Sequence, residues 1–464
     1  MKKNILLLSL SVLFMISKSF AQTPPVSLWE NNADTSWHDN TNSTFTLSSA
    51  AELAGLSVLV ANGDDFSGKT IEIDSDINLE DHLWKPIGLN ISFPFSGTVE
   101  ANHFEISNLF IVTPGGDFAG LFGRCVGATL NNINLKNTYI RSGDTSGSLV
   151  GSFATNSNMK NCRAEGVDID CSDYNVGGLV GEMLDNSNMT RCSSKGIVKG
   201  FSQVGGLLGS PYNLTTISEC FSEGTVEAQF LAGGLVGYST YAFQANRDNT
   251  LINCYSRANA SVIDGRAGGL VGGTDGAMVV KNCYATGTAT GPEFYGGLIG
   301  AVGSVSTENN YWDNESSGLS IAIGGFTGSS SSFDITGKAT ADMKTTAMVD
   351  LLNENQSYLP WSLDASKNDG YPILDTAKLA SSIFVNEINI EISVFPTLCN
   401  EFINVHSTEK IVDYNIVDIT GKLIQQAAFN RAETKIDLLT VDKGIYFLVL
   451  NTEKGKFTKK FVKE

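Results

Sequence analysis

The sequence predicts an all-β protein: a parallel β-helix (solenoid) with short capping helices, followed by a small C-terminal β-sandwich. Three observations favour this fold class. A glycine–leucine phrase recurs along the middle of the chain, a cysteine recurs between the phrases, and the composition changes near residue 392. With 464 residues the chain can form more than one core, because single domains usually hold about 100–200 residues.

The recurring phrase is four residues long and ends in glycine. Its final glycines are 28, 30, 28, 28, 35 and 28 residues apart. Self-similarity at such a period indicates stacked repeats, and the absence of a helical pattern between copies favours parallel strands, one coil per repeat. The copies are Gly120-Leu-Phe-Gly123, Ser148-Leu-Val-Gly151, Gly178-Leu-Val-Gly181, Gly206-Leu-Leu-Gly209, Gly234-Leu-Val-Gly237, Gly269-Leu-Val-Gly272 and Gly297-Leu-Ile-Gly300.

A strand is expected after each recurring cysteine. Small residues stand two and four positions after it, as in Cys162, Ala164 and Gly166. Such a step of two fits one inward face of a β-strand. The two-residue alternation of a strand does not decide whether the leucine of each phrase or the aliphatic residue after it points inward. A bend between these two residues would let both point inward.

The recurring cysteines are interpreted as a structural column of small interior hydrophobic residues. In-register neighbours on adjacent coils would hold their Cβ atoms near ~4.8 Å, beyond the usual disulfide window, although a disulfide framework remains the alternative in an exported chain. No C-x-x-C pair or neighbouring histidine indicates a metal or catalytic role. The column comprises Cys162, Cys192, Cys220, Cys254 and Cys283.

Both ends of the stack are expected to be capped, because an open end exposes apolar side chains and unpaired backbone groups. Upstream, Ser49-Ala-Ala-Glu52 has the form of a capping box before an apolar run at helical spacing. Downstream, Met343, Ala347 and Leu351 predict a helix near 341–353. Trp361 and Tyr371-Pro-Ile-Leu374 are expected to close the domain.

The first residues have the layout of a secretory signal peptide. A positive start, an apolar run over 5–15 and a small-x-small site predict cleavage between Ala21 and Gln22. A membrane anchor is the alternative, but the apolar run is shorter than the ~20 residues that a span needs. The expected divisions are a signal peptide (1–21), an N-terminal linker (22–45), the β-helix (46–375), a second linker (376–391) and the C-terminal module (392–464).

The net negative charge of the chain lies in the predicted β-helix and its flanking linkers. The chain has a net charge of −18, and residues 22–391 alone carry −22, because 392–464 and 1–21 are net positive. An acidic chain is repelled by the nucleic-acid backbone, so no nucleic-acid partner is expected. The four histidines are too scattered for a clustered metal centre.

The middle of the chain resembles bacterial GLUG-repeat proteins. The likeness rests on the Gly-Gly-Leu-Val-Gly phrases, on Asn-Cys-Tyr at 253–255 and 282–284, on Trp84-Lys-Pro-Ile-Gly88 and on Phe95-Ser-Gly-Thr98, and it covers about 46–375. This resemblance implies a surface or secreted protein. The motif also occurs in bacterial IgA-peptidases, but the H-E-x-x-H helix of those relatives is absent here.

The last seventy residues resemble the C-terminal sorting domain of the type IX secretion system of Bacteroidetes. Short alternating strands lie between turn signals, and the matching segments are Ile416-Val-Asp-Ile-Thr-Gly-Lys422, Lys443-Gly-Ile-Tyr-Phe447 and Lys459-Lys-Phe-Val-Lys463. The family's opening Pro-Asn-Pro is replaced by Phe395-Pro-Thr-Leu-Cys399, which leaves the domain start open. The resemblance implies passage across the outer membrane by the type IX machinery, then release or attachment at the cell surface.

No catalytic residues, metal site or cofactor are predicted, since no G-x-S-x-G elbow, P-loop or dinucleotide fingerprint stands in its required context. The longest insertion between the markers, 238–250, is the candidate ligand-binding loop, because insertions in a solenoid emerge as surface loops. Its aromatic and cationic residues could stack on sugar rings or clasp a protein, or pack on the stack instead. They are Tyr238, Tyr241, Phe243 and Arg247.

Together these features predict an exported, non-catalytic, adhesin-like protein that binds a glycan, matrix or cell surface. A polysaccharide-degrading enzyme is one alternative, on fold analogy alone. The other is a structural spacer without its own ligand.

Overall fold

A computed structural model describes residues 24–39, 41–239, 248–276, 278–327, 333–356, 358–374, 392–395, 398–418, 422–452 and 455–463. The chain divides into two compact units, Met1–Thr376 and Ala377–Glu464. In the first unit parallel strands stack coil upon coil into a β-solenoid, which confirms the predicted fold class.

Each full coil passes through four sheets, numbered here in the order in which the chain crosses them after a column cysteine. Sheet I contains Ile77–Asn78, Glu105–Val112, Asn134–Ser142, Arg163–Cys171, Ser193–Gly200, Phe221–Ala228, Tyr255–Ser256, Asn259–Val262, Tyr284–Ala285, Ala289–Thr290, Asn310–Asp313 and Ile335–Lys338. Sheet II contains Ser146–Gly147, Tyr174–Gly177, Ser202–Gly205, Leu231–Gly233, Arg266–Gly268 and Phe294–Gly296.

Sheets III and IV complete the coil. Sheet III contains Phe122–Val126, Val150–Ala154, Val180–Leu184, Leu208–Tyr212, Val236–Ser239, Val271–Thr274, Ile299–Val302 and Ile323–Phe326. Sheet IV contains Thr44–Leu47, Thr70–Ile73, Thr98–Glu100, Thr129–Asn131, Asn158–Lys160, Asn188–Thr190, Thr216–Ser218, Asn249–Ile252, Met278–Lys281 and Ser306–Glu308. Sheet IV therefore extends over ten coils among the described residues.

The repeated phrase forms the bend between sheets II and III. The main chain is in register across coils: Leu149 N–H donates to the Leu179 carbonyl at 2.9 Å, and Leu179 N–H donates to Leu207 at 2.9 Å. Both Leu179 and the following Val180 are fully buried. The bend therefore turns both aliphatic residues of the phrase into the core.

Steric crowding explains why the phrase keeps its glycines. A Cβ atom on Gly177 would lie 1.9 Å from the Val180 carbonyl oxygen, and one on Gly178 would lie 2.1 Å from the Gly206 carbonyl oxygen. Real Cβ atoms do not approach backbone atoms so closely, so the tight arch excludes side chains here.

The step-of-two prediction after the cysteines is only partly right. Ala164 and Ser194, two positions after Cys162 and Cys192, are buried. The residue four positions after the cysteine differs between coils: Gly166 is exposed with a φ of 68°, whereas Ala258 is buried. The strand is irregular at this point, where the register shifts between Glu165 and Val167, so the alternation is lost.

The upstream helix α1 (Ala50–Ala61) begins with the expected capping box. The Ser49 hydroxyl accepts from Glu52 N–H at 3.3 Å, and the Glu52 carboxylate accepts from Ser48 N–H at 2.8 Å. Buried Leu53 and Leu56 belong to the same continuous apolar core as the strands. The predicted linker 22–45 is ordered in part, because Trp29 in the short helix Trp29–Asn32 is buried in that core.

The downstream segment differs from the prediction in two respects. One helix was expected over 341–353, whereas two form, α2 (Thr340–Met343) and α3 (Thr346–Leu352). Residues 340–374, called the strap from here on, also include the hairpin Trp361–Ser362 and Ile373–Leu374 and the short helix Asn368–Gly370. The strap does not close the end of the stack but packs on the outer face of sheet I.

The second unit is the predicted small β module. Its strands are Ile392–Phe395, Leu398–Cys399, Phe402–Asp418, Leu423–Asp437, Gly444–Thr452 and Gly455–Lys463. They form one mainly antiparallel sheet around a small core that includes Ile403, Ile416, Leu448 and Phe461. The short alternating strands expected here are partly joined, because Phe402–Asp418 is one long strand that pairs with three others.

Several predictions lie outside the described residues. They are the signal peptide with its cleavage site at Ala21 and Gln22, and the second linker (376–391). Among the described residues, no helix combines the length and the apolar character that a membrane crossing requires.

Candidate functional site

Of the four candidate residues in the predicted binding loop, only Tyr238 lies among the described residues. Tyr238 lies on a sheet III strand and is only 6% exposed, with its ring over Gly273. Burial, together with the Asp275 carboxylate, raises its pKa. Tyr238 is therefore a packing residue and not an exposed stacking platform, while Tyr241, Phe243 and Arg247 lie outside the described residues.

The cysteine column is interior and continuous. Ile133 begins the column, and the five cysteines follow on consecutive coils, each fully buried and each a free thiol. Cys192 N–H donates to Cys220 Sγ at 3.3 Å, and the column ends where Cys283 N–H donates to Asn310 Oδ1 at 3.0 Å. Burial raises the pKa of the Cys162 thiol well above its usual range, which disfavours the reactive thiolate.

A groove on the outside of the shaft is the best-formed candidate site. It has a volume of about 410 Å³ and lies where sheet I turns into sheet II, across four consecutive coils. Its lining residues are Asp170, Cys171, Ser172, Lys199, Gly200, Phe201, Glu227, Ala228, Gln229, Ser261, Val262 and Ile263.

The corners along the groove differ in length. Between the strands of sheets I and II the successive coils have two residues (172–173), one residue (Phe201), two residues (229–230) and three residues (263–265). The single-residue corner, Phe201, lines this recess between the longer corners of the neighbouring coils.

Aromatic side chains form a row beside this recess. Tyr174, Phe201 and Phe230 are 44%, 36% and 36% exposed, which is high for large apolar side chains. Their ring centroids are 5.5 and 5.0 Å apart, with nearly perpendicular planes. Ile263, 74% exposed, extends the apolar surface on the next coil. These four residues are called the corner row from here on, and a contiguous exposed apolar patch of this kind marks an interaction site.

Polar side chains lie along the other wall of the groove. Asp170, Lys199, Glu227 and Ser261 occupy one register position on four successive strands of sheet I. Lys199 Nζ is 2.8 Å from Glu227 Oε2. The groove thus presents hydrogen-bonding groups opposite a row of apolar rings, the combination that ligand sites use for orientation and contact area.

The described residues of the groove form no cluster of metal-binding side chains. No group of three or more histidine, cysteine, aspartate or glutamate side chains there could hold a metal ion. Its polar side chains and the exposed ring of Phe201 are groups that can contact a ligand.

The corner row carries a weak sequence signal. Its aromatic residues stand four, five and four positions before the first glycine of their phrases, Gly178, Gly206 and Gly234. The varying corner length breaks the period, so the repeat pattern conceals the row. Aligning the repeats on the phrase with gaps allowed at the corner would have brought the three aromatics together.

The solenoid and the C-terminal module together define a class of exported repeat protein. Comparisons with known proteins identify the repeat motif and the C-terminal module. Residues 264–290 match the GLUG motif, and residues 393–464 match the secretion system C-terminal sorting domain. The GLUG-repeat and type IX sorting description is thereby confirmed. The protein is secreted across the outer membrane to the cell surface or the extracellular space.

Solved structures offer distant similarities. A candidate immunoglobulin A1 protease from Bacteroides ovatus matches with 16% identity and a TM-score of 0.44, over 72% of this chain and 92% of that one. An IgA1 protease matches with 13% identity and a TM-score of 0.38, over 90% of this chain but only 34% of that one. No curated protein matches the sequence. The function must therefore be argued from the site.

Proposed function

We propose that this protein is an exported, non-catalytic, adhesin-like protein whose solenoid binds a glycan chain along the groove between sheets I and II. The observation that supports this most is the corner row, with three exposed aromatic rings on consecutive coils beside a groove lined by hydrogen-bonding side chains. A sugar ring has an apolar face that packs on an aromatic ring and a rim of hydroxyls that need polar partners.

The repeat geometry suits a polymer better than a small molecule. Successive coils present equivalent side chains at the spacing of neighbouring strands, about 4.8 Å. The groove is open along the shaft, and the row continues past Phe230 to Ile263. A chain of sugar units can therefore make a similar contact on each coil, so that weak individual contacts add up.

Binding to a polysaccharide panel tests the proposal. Purified protein is expected to bind at least one polysaccharide saturably without releasing soluble products. Phe201→Ala and Phe230→Ala are each expected to weaken that binding at least tenfold, since truncating a central aromatic contact typically costs about 1–2 kcal/mol or more. Phe326→Ala is the matched control, because Phe326 is also exposed (51%) but lies on sheet III.

Each alternative has its own outcome in the same experiment. Release of shortened chains would support an enzyme, and absence of binding to every polysaccharide and matrix protein would support a spacer. Binding that is equally reduced by Phe326→Ala and Phe201→Ala would show that the groove is not the site.

We infer that the C-terminal unit is the part that the type IX secretion machinery engages. The match over 393–464 supports this partner. Deleting these residues is expected to leave the repeat unit inside the outer membrane, as measured by cell fractionation and surface proteolysis. Normal surface display of the truncated protein would contradict it.

A further inference from the structure

The charges around the groove are predominantly negative. Among the described lining residues the only cationic side chain is Lys199, and Glu227 pairs with it at 2.8 Å. Asp170 is the strand neighbour of Lys199 on the previous coil and is exposed. On the coil before, the strand neighbour of Asp170 is Arg141, which pairs with Asp168 at 2.8 Å. Because Lys199 and Arg141 are each paired with another carboxylate, Asp170 leaves this wall with a net negative charge.

The corner itself adds further carboxylates. Asp144 and Asp173 stand directly before Thr145 and Tyr174 in the chain. The Thr145 N–H donates to the Tyr174 carbonyl at 2.9 Å, so the two carboxylates belong to neighbouring coils. Burial raises the pKa of Asp144, and the charges of Asp117 and Asp173 raise it further. Asp264, exposed, follows Ile263 at the far end of the row. Exposed acidic residues thus lie at both ends of the corner row, at Asp173 and Asp264, whereas the corners at Phe201 and 229–230 contain none.

We propose that the groove binds a polysaccharide whose sugars are uncharged or carry amino groups, and that it rejects chains bearing carboxylate or sulfate groups. This deepens the proposed function and rests on it. A uronate or sulfated chain would place like charges beside Asp170, Asp173 and Asp264. Like-charge contacts of this kind exclude wrong partners, whereas an amino group gains from the same carboxylates.

The test compares oligosaccharides of matched length on the purified full chain: a neutral β-glucan, a neutral xylan, a chitosan, a polygalacturonate and a dextran sulfate. The neutral or amino chain that binds is expected to bind at least tenfold more tightly than either anionic chain. Raising the salt from about 0.05 to 0.5 M should weaken chitosan binding and leave neutral binding nearly unchanged, because salt screens exposed charges.

Charge variants sharpen the result. The triple variant Asp170→Asn, Asp173→Asn, Glu227→Gln removes three carboxylates and unpairs Lys199. It is expected to weaken chitosan binding and to raise the affinity for polygalacturonate at least tenfold. The control triple variant Asp74→Asn, Asp81→Asn, Asp342→Asn makes the same change in net charge with exposed residues elsewhere and is expected to leave both affinities unchanged.

The outcomes separate this inference from the function on which it rests. Anionic chains bound as tightly as neutral ones by the unaltered protein would overturn the charge selection while leaving glycan binding intact. Equal effects of the two triple variants would overturn it as well, because net charge and not the groove would then be responsible. No binding to any oligosaccharide, or binding to poly-arginine alone, would overturn both.

Discussion

Among the described residues, two aromatic rows on the outside of the solenoid differ in what covers them. The first is a ladder on the outer face of sheet I, made of Phe221, Tyr255, Tyr284 and Tyr311. Neighbouring rings from Phe221 to Tyr284 are stacked, 4.8 and 5.0 Å apart, with planes within 3° of parallel. The second is the corner row, whose rings meet edge to face and stay exposed.

The strap accounts for the difference. Trp361 and Tyr371 pack on the ladder. The strap is also attached to the coils by polar contacts at Glu219 and Asn253, each of which directly precedes a column cysteine. Glu219 accepts from the Tyr358 hydroxyl at 2.8 Å, and Asn253 donates to the Gln356 side chain at 2.8 Å. An outward aromatic row is thus stabilising where the chain covers it, and available to a ligand where the chain does not.

The largest effect is expected for Tyr284→Ala. Tyr284 is fully buried between Tyr255 and the strap, and its hydroxyl donates to the Pro372 carbonyl at 2.7 Å. Truncating a buried aromatic side chain costs about 3–5 kcal/mol, so the denaturant midpoint of the repeat unit should fall clearly. Tyr174→Ala, on the exposed row, should change the free energy of unfolding by no more than about 0.5 kcal/mol.

The second effect concerns the attachment of the strap through Asp313. Its carboxylate accepts from the Tyr371 hydroxyl at 2.7 Å and the Thr340 hydroxyl at 2.9 Å. Asp313→Asn is expected to lower the free energy of unfolding at pH 7 by about 1–3 kcal/mol, because a hydrogen-bonded charged acceptor is lost. A loss as large as that of Tyr284→Ala would mean that Asp313 organises the strap beyond these contacts.

The same residue predicts a pH dependence. Burial alone raises the pKa of Asp313, but hydrogen bonds from Ser316 N–H, Tyr371 and Thr340 outweigh it and hold the pKa below its ordinary value of 3.8. A lowered pKa stabilises the folded state fully above the unfolded value, and this stability is lost as pH falls through the folded pKa. When the free energy of unfolding is measured from pH 7 to 2, the values for the unaltered protein and for Asp313→Asn should therefore converge at the acid end.

Phe201→Ala, which is expected to weaken glycan binding strongly, is expected to have the smallest effect on the stability of the protein. Phe201→Ala should leave the thermal midpoint within about 1–2 °C of the unaltered protein, because its ring is partly exposed and packs mainly on Tyr174 and Phe230. A loss of stability comparable with Tyr284→Ala would show that the corner row is part of the core, and the contrast between the two rows would fail.

Much of the fold could be predicted because stacking repeats one local environment on every coil. The phrase glycines, the buried leucines and the cysteine column all follow from in-register neighbours, each of which meets a copy of itself. The capping box at Ser49 was predictable for a similar reason, since its hydrogen bonds are local. The site was not, because the corner lengths along the groove are departures from the period.

The sequence by itself determined the parallel stack, the interior columns and the export module, because each depends on contacts between equivalent positions or on a short local pattern. Only the tertiary structure decided which outward aromatics are covered. Met343, Trp361 and Tyr371 reach the ladder from a segment far along the chain, and no spacing in the sequence encodes that contact. Burial of an outward row depends on which distant segment packs against it, and that choice separates the structural ladder from the exposed groove.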